Sequence, residues 1–281
     1  MDYVLNAAYA SLLLMLVALG LSIVFGVMGV INLAHGEFVM LGAYGAVATT
    51  SVFGSFWLSL LLAPVAVAVV GGLIERVLIR RLYRRPLETI VATFGLAIIL
   101  REAIRQVAGS DFRNVSDPIR GSVSILGDDF PAYRLVVMGI VIALVAIIGL
   151  LQSQTRLGLI ARAVIQNPEL AGALGIDVNV VYRVTFALGS ALAAVAGVLV
   201  APTVNVFPDM GPAFVISAFL AVLVGGLGSL RGLVAAVVLL GTVQYVLSQI
   251  FTPVAGGIGL LVIAIGALRF MPGGLARVAA P

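Results

Sequence analysis

The chain has 281 residues, 62% of them hydrophobic and only 10% charged, with a mean hydropathy of +1.22 and a formal net charge of +4. An average soluble domain carries about 25% charged residues. This chain therefore has too little polar surface to cover a water-soluble globule, which excludes a soluble enzyme, a nucleic-acid binder and a disordered scaffold. Cysteine is absent, which excludes a disulfide framework, a thiolate metal site and a cysteine nucleophile, and the single histidine, His35, gives imidazole chemistry one address.

Eight spans of about 20 residues would take a little over half of the length, so the composition predicts an all-α polytopic membrane protein. In chain order the apolar segments are residues 7–28, 38–53 and 56–74, a shorter one at 87–100, then 135–151, 184–206, 213–230, 232–251 and 258–268. They make eight transmembrane helices if 87–100 is partial and nine if it crosses fully.

The basic residues are all arginine, and their distribution predicts orientation, because loop Lys/Arg bias marks the cytoplasmic side. Arg76, Arg80, Arg81, Arg84 and Arg85 follow the third segment, and Arg156, Arg162 and Arg183 lie in the polar stretch 152–183. Residues 101–134 instead balance five arginines with Glu102, Asp111, Asp117, Asp128 and Asp129. Placing 75–86 and 152–183 in the cytoplasm puts 101–134 outside. Alternation then brings Arg231, Arg269 and Arg277 inside, for eleven arginines inside and five outside, with the N-terminus outside. The start carries Asp2 and no arginine, so it lacks the positive region of a signal peptide and reads as uncleaved.

Glycine is unevenly placed. Gly26, Gly29 and Gly36 surround the first break, and Gly225, Gly226, Gly228 and Gly232 cluster at a later one, each group inside apolar sequence. Helices broken at membrane depth need protein or a water-filled cavity around the freed backbone. Paired Gly-interrupted segments in two halves of a chain point to a transport pathway. Small residues at four-residue spacing, Gly189, Ala193 and Gly197 or Gly228 and Gly232, equally serve helix packing.

Asn32, His35 and Glu37 stand at the first break. An ionisable residue at a span centre costs about 2.5–3.5 kcal/mol on insertion scales, so these side chains face protein or water. Asn32 and His35, three apart, would share a helix face, with Glu37 off it unless Gly36 unwinds the chain. The three either line or gate a solute path or serve structure, Glu37 lying in a first helical turn where the dipole favours a carboxylate. No nucleophile or metal-ligand cluster accompanies them, so neither a catalytic site nor a metal site is expected.

In 152–183, Leu157, Ile160, Ala161 and Val164 fall on one helical face, with Arg156, Arg162 and Gln166 polar. Asn167-Pro168 ends that helix, and a second short one runs from Glu169 to a stop at Gly175. Such a pair is either a docking surface for a cytoplasmic partner or an interfacial helix on lipid headgroups.

The run from Glu169 to Gly175, ELAGALG, matches the Glu-Ala-Ala-x-x-x-Gly pattern of ABC-importer permeases at Glu169, Ala171 and Gly175, with Leu170 in place of the middle alanine. Its setting, TRLGLIARAVIQNPELAGALGIDV (155–178), together with FGVMGVINLAHGEFVMLGAY (25–44), resembles permeases for branched-chain amino acids and their urea- and amide-transporting relatives. ATFGLAIIL (92–100), FALGSALAAVAGVL (186–199) and AFLAVLVGGLGSLRG (218–232) extend the resemblance in order across most of the chain.

The resemblance implies a multi-pass permease subunit in a bacterial inner (plasma) membrane, one transmembrane domain over 1–281. Region 101–134 becomes an external loop, and 152–183 a cytoplasmic loop in which Arg162, Glu169, Ala171 and Gly175 serve coupling to an ATPase. The implied partners are a second homologous permease, two cytoplasmic ABC ATPase subunits and an external solute-binding protein. With no lysine the chain has no phosphate-binding loop of the Gly-x-x-x-x-Gly-Lys type, so no cofactor is expected in this chain and ATP would be used by the partner ATPases. A hydrophobic amino acid suits the uncharged spans, as would urea, short amides or aromatic acids. Two rival readings are a stand-alone secondary transporter or channel with Glu37 and His35 as a proton relay, and a membrane enzyme using the same pair.

Overall fold

The computed structural model describes residues 2–271, 274 and 275, apart from Arg84, Leu126 and Leu227. Arg84 and Arg277, two of the arginines that set the expected orientation, lie outside the described residues. The helices are α1 (Asp2–Met28), α2 (His35–Phe53), α3 (Phe56–Val77), α4 (Pro86–Ala108), α5 (Ala132–Gln154), α6 (Arg156–Gln166), α7 (Pro168–Ala173), α8 (Val178–Val200), α9 (Gly211–Gly225), α10 (Leu230–Ile250) and α11 (Pro253–Phe270).

Among the described residues, seven helices are long and apolar enough to cross a bilayer: α1, α3, α5, α8, α9 with the 3-10 turn before it, α10 and α11. The remaining expected spans form α2 and α4. His35 and Glu37 lower the apolarity of α2, and Glu88, Arg101 and Glu102 that of α4.

The region 101–134 differs from a plain loop. Its first residues are the last two turns of α4, because REAIRQVA carries good helix formers and an Arg105–Glu102 pair one turn apart. The helix stops only at Gly109, whose φ of +83° suits glycine. Beyond it, β1 (Ser122–Ile125) and β2 (Asp128–Pro131) form an antiparallel hairpin with Ser122 opposite Pro131 and Ile125 opposite Asp128. The fold is therefore mostly helical, not wholly so. Arg113 exchanges two 2.8 Å backbone hydrogen bonds with Val206, tying this region to the α8–α9 link.

The core forms around α8, which packs on α1, α2 and α3. With lipid outside, close backbone approach between small residues holds helices together where the hydrophobic effect does not. On α8 the buried face is Gly189, Ser190, Ala193, Ala194, Ala196 and Gly197. A Cβ at Gly197 would stand 1.9 Å from the Val39 carbonyl oxygen, and one at Gly42 would stand 2.2 Å from that of Ala194. The Gly189–Ala193–Gly197 stripe is thus a packing seat for α1 and α2.

Candidate functional site

Gly29, with φ +65°, closes α1 by donating its N–H to the Phe25 carbonyl at 2.9 Å. Asn32 then folds the joint: its Oδ1 accepts the Ala34 N–H at 3.1 Å and its carbonyl accepts the His35 N–H at 3.3 Å. That local turn starts α2 at His35, so Asn32 does not share a helix face with it, contrary to the three-residue spacing. Thr93 of α4 pins the joint from the side, its hydroxyl donating to the Ile31 carbonyl at 3.3 Å and accepting the Leu33 N–H at 3.2 Å.

His35 is fully buried and its Nε2 lies 3.0 Å from the Val17 carbonyl, halfway along α1, which places the ring proton on Nε2. Glu37 is also buried, and its Oε1 accepts from Arg101 Nη2 at 2.7 Å. The two side chains therefore answer to different partners, and no hydrogen bond joins them as a proton relay requires. Gly36 and Gly211 allow the approach of α2 to the start of α9. A Cβ at Gly36 would stand 2.2 Å from the Gly211 oxygen, and one at Gly211 would stand 2.7 Å from Glu37 Oε2.

From Glu37 a line of charge runs outward. Arg101 Nη1 is 3.7 Å from Asp209 Oδ1, Arg105 Nη2 is 2.8 Å from Asp209 Oδ2, and Arg105 Nη1 is 2.7 Å from Glu102. Exposure grows along it, the Glu37 side chain being 2% exposed, Arg101 25% and Asp209 53%. Sequence reasoning missed Arg101, Arg105 and Asp209. The available signals were the four-residue spacing of the arginines on one helical face and the isolation of Asp209 between Arg183 and Arg231.

A second buried carboxylate, Glu75 of α3, accepts from the Tyr83 hydroxyl and pairs with Arg183 Nε of α8 at 3.3 Å. Tyr83 also meets Tyr182 edge-on, ring centres 4.9 Å apart. Burial, then the Glu75 contact, pushes the Tyr83 phenol above its usual range. A cavity of about 500 Å³ beside it is lined by Met28, Gly29, Tyr83, Thr89, Pro168 and Tyr182. It joins the ends of α1, α4, α7 and α8.

The 152–183 stretch holds the two expected short helices. Thr155 caps α6 by accepting the Gly158 N–H at 3.3 Å, and Asn167 caps α7 by accepting those of Glu169 and Leu170 at 3.0 and 2.9 Å. Gly175, with φ +87°, ends α7: its N–H reaches the Gly172 carbonyl and that of Ile176 the Ala171 carbonyl, the paired bonds of a Schellman stop. Ala171 is buried, and Arg162 donates to the Gln152 carbonyl, tying α6 to the end of α5. Leu157, expected on the packed face, is 68% exposed. Gly158 takes its place because only a glycine admits the last turn of α5, a Cβ there falling 2.1 Å from the Gln152 oxygen. Leu157, Leu159, Ile165, Leu170 and Leu174 are all exposed beside Arg156.

The glycine clusters lie at joints between helices and not as breaks inside them. Gly26 is in the last turn of α1, Gly36 in the first turn of α2 and Gly225 at the end of α9, while Gly29, Gly226 and Gly228 take positive φ in the links. Gly228 precedes α10, so it forms no helical stripe with Gly232. The two joints touch, for a Cβ at Gly26 would stand 2.9 Å from Gly228 Cα.

Residues 3–267 match the family model described as "Branched-chain amino acid transport system / permease component". The chain is 31% identical over 252 residues to the high-affinity branched-chain amino acid transport system permease protein BraD of Pseudomonas aeruginosa, covering 84% of this chain and 82% of that one. It is 31% identical over 248 residues to LivH of Escherichia coli, at 82% and 80% coverage. It is also 31% identical over 296 residues to a probable LivH of Methanocaldococcus jannaschii, at 97% and 91% coverage. Among solved structures, PsaBC from Streptococcus pneumoniae in complex with Fab shares the fold, with a TM-score of 0.50 at 16% identity over 96% of this chain and 91% of that one. The chain is a multi-pass membrane protein and belongs to the family of branched-chain amino acid transport system permease components.

Proposed function

We propose that this chain is one permease subunit of an ABC importer in the inner (plasma) membrane, moving branched-chain or other hydrophobic amino acids by alternating access. A second permease completes the path, two cytoplasmic ATPase subunits drive it, and an external binding protein delivers the solute to the side carrying 101–134. In this reading α2 and α4 complete a set of nine membrane helices within one domain over 1–281, and Asn32, His35 and Glu37 lie at the path.

The observation that carries the reading is the α6–α7 unit. Two capped, short helices display Leu157, Leu159, Leu170 and Leu174 outward beside Arg156, while Arg162 and Ala171 anchor them to the bundle. An apolar surface on a rigid pair of short helices suits a protein partner. Glu169 and Gly175 hold the first turn and the stop of α7.

The test is uptake by the assembled transporter. Glu169→Ala and Gly175→Val, which disturb the start and the stop of the helix that presents the docking surface, each lower ATP-driven uptake by roughly tenfold or more, while membrane insertion stays unchanged. Wild-type uptake by both variants, or uptake without ATPase subunits, would overturn the assignment.

A further inference from the structure

We propose that Glu37 and Arg101 are the two poles of a solute site that takes an amino-acid zwitterion, its ammonium on Glu37 and its carboxylate on Arg101. The inference rests on the permease reading and adds to it the recognition chemistry of the path.

In the structure the two poles occupy each other, Arg101 Nη2 on Glu37 Oε1 at 2.7 Å. Each keeps a free valence among the described residues: Glu37 Oε2 and Arg101 Nε are buried without a hydrogen-bond partner. A carboxylate only accepts and a guanidinium only donates. The unpaired atoms of this ion pair are thus an acceptor suited to an ammonium, packed against the start of α9 at Gly211, and a donor suited to a carboxylate.

The poles sit on elements of unequal hold. Glu37 belongs to α2, clasped by α8 and by the start of α9 through Gly42, Gly36 and Gly211. Arg101 belongs to α4, which buries only Thr89, Thr93 and Ala97, rests the half-buried Leu100, Ile104 and Ala108 against the core, and is tied by polar contacts to Ile31, Leu33, Glu37 and Asp209. Separation of α4 from α2 leaves the Glu37 carboxylate buried and unpaired, which is strongly unfavourable. A zwitterion restores both halves of the pair at once. A monocarboxylate answers only Arg101, a cation answers only Glu37, and a neutral amide or urea offers dipoles in place of either charge. The exchange selects for the α-amino acid backbone and leaves the side chain free, as a path for several hydrophobic amino acids requires.

The test is binding of radiolabelled L-leucine to the purified permease–ATPase complex without the binding protein, with competition by leucine, 4-methylpentanoate and 4-methylpentanamide. Saturable binding that leucine displaces and the other two do not is expected. Glu37→Gln and Arg101→Gln each weaken it roughly tenfold or more, as loss of one partner of a close charge pair does. The double Glu37→Gln/Arg101→Gln chain strands no buried charge, so it assembles while losing the preference for leucine over the amide. Absence of saturable binding in the wild type, equal competition by the amide, or wild-type leucine affinity in the double variant would each refute the site. Uptake measured in parallel separates the two levels: dependence on the ATPase subunits with no leucine preference removes this site alone, whereas uptake without them removes the permease reading as well.

Discussion

At Gly197 a side chain has no room, because the Val39 carbonyl oxygen already occupies the place a Cβ would take. The same holds at Gly42 against Ala194 and at Gly20, where a Cβ would meet the Gly189 oxygen at 2.6 Å. These glycines serve approach, not flexibility, since each lies within a helix. Gly95 of α4 and Gly139 of α5 differ, for a Cβ there meets nothing within 4 Å. Gly197→Leu should therefore abolish a monodisperse, folded protein, whereas Gly95→Ala and Gly139→Ala should each raise stability by about 0.5–1 kcal/mol through helix propensity alone. Thermal unfolding in detergent distinguishes the two classes, and a stable Gly197→Leu protein would refute the close approach.

At the elbow between α3 and α4 the buried Glu75 carboxylate is met by Tyr83 of the elbow and Arg183 of α8. Tyr83→Phe removes a donor from a buried carboxylate and should cost about 1–3 kcal/mol. The raised phenol pKa fixes the sign of the pH effect. The neutral hydroxyl is favoured by folding, so its contribution is fully present below the ordinary tyrosine value of about 10 and is lost only as pH rises toward the folded one. The stability difference between wild type and Tyr83→Phe should thus be equal at about pH 7 and pH 9, where an ordinary phenol remains largely protonated. Above about pH 10 the difference should shrink as the unfolded phenol ionises and the folded one does not, and a difference that stays constant there would show the folded phenol to be unshifted.

Much at this scale was legible in sequence. The nine apolar segments all became helices, and Asn167-Pro168 and Gly175 set the limits of α7 through local capping chemistry. What escaped depends on tertiary contact. Arg101 read as the start of a loop because charge ends an apolar run, yet helix propensity carried α4 on and a carboxylate 64 residues away received it. Gly158 displaced Leu157 from the packed face because of the end of α5, which helical periodicity alone does not contain.

For the molecule as a whole, two joints far apart in sequence lie against each other at Gly26 and Gly228, and α8 holds α1, α2 and α3 as one block. The two buried carboxylates bridge between elements of different age in the growing chain. Glu37 precedes Arg101 by 64 residues, and Glu75 precedes Arg183 by 108. At a synthesis rate of about 5–20 residues per second, Glu37 waits some 3–13 s before its partner is even made. Over that interval the nascent α2 offers an unneutralised acid to the insertion machinery. A chain stalled before Arg101 should therefore insert α2 less completely than its Glu37→Gln counterpart, and completion through α4 should erase the gap, as read by accessibility of the flanking segments. The Glu37–Arg101 pair of the folded protein is thus also a timing constraint on its birth: until α4 arrives, the acid must stay in water, take up a proton or find another partner.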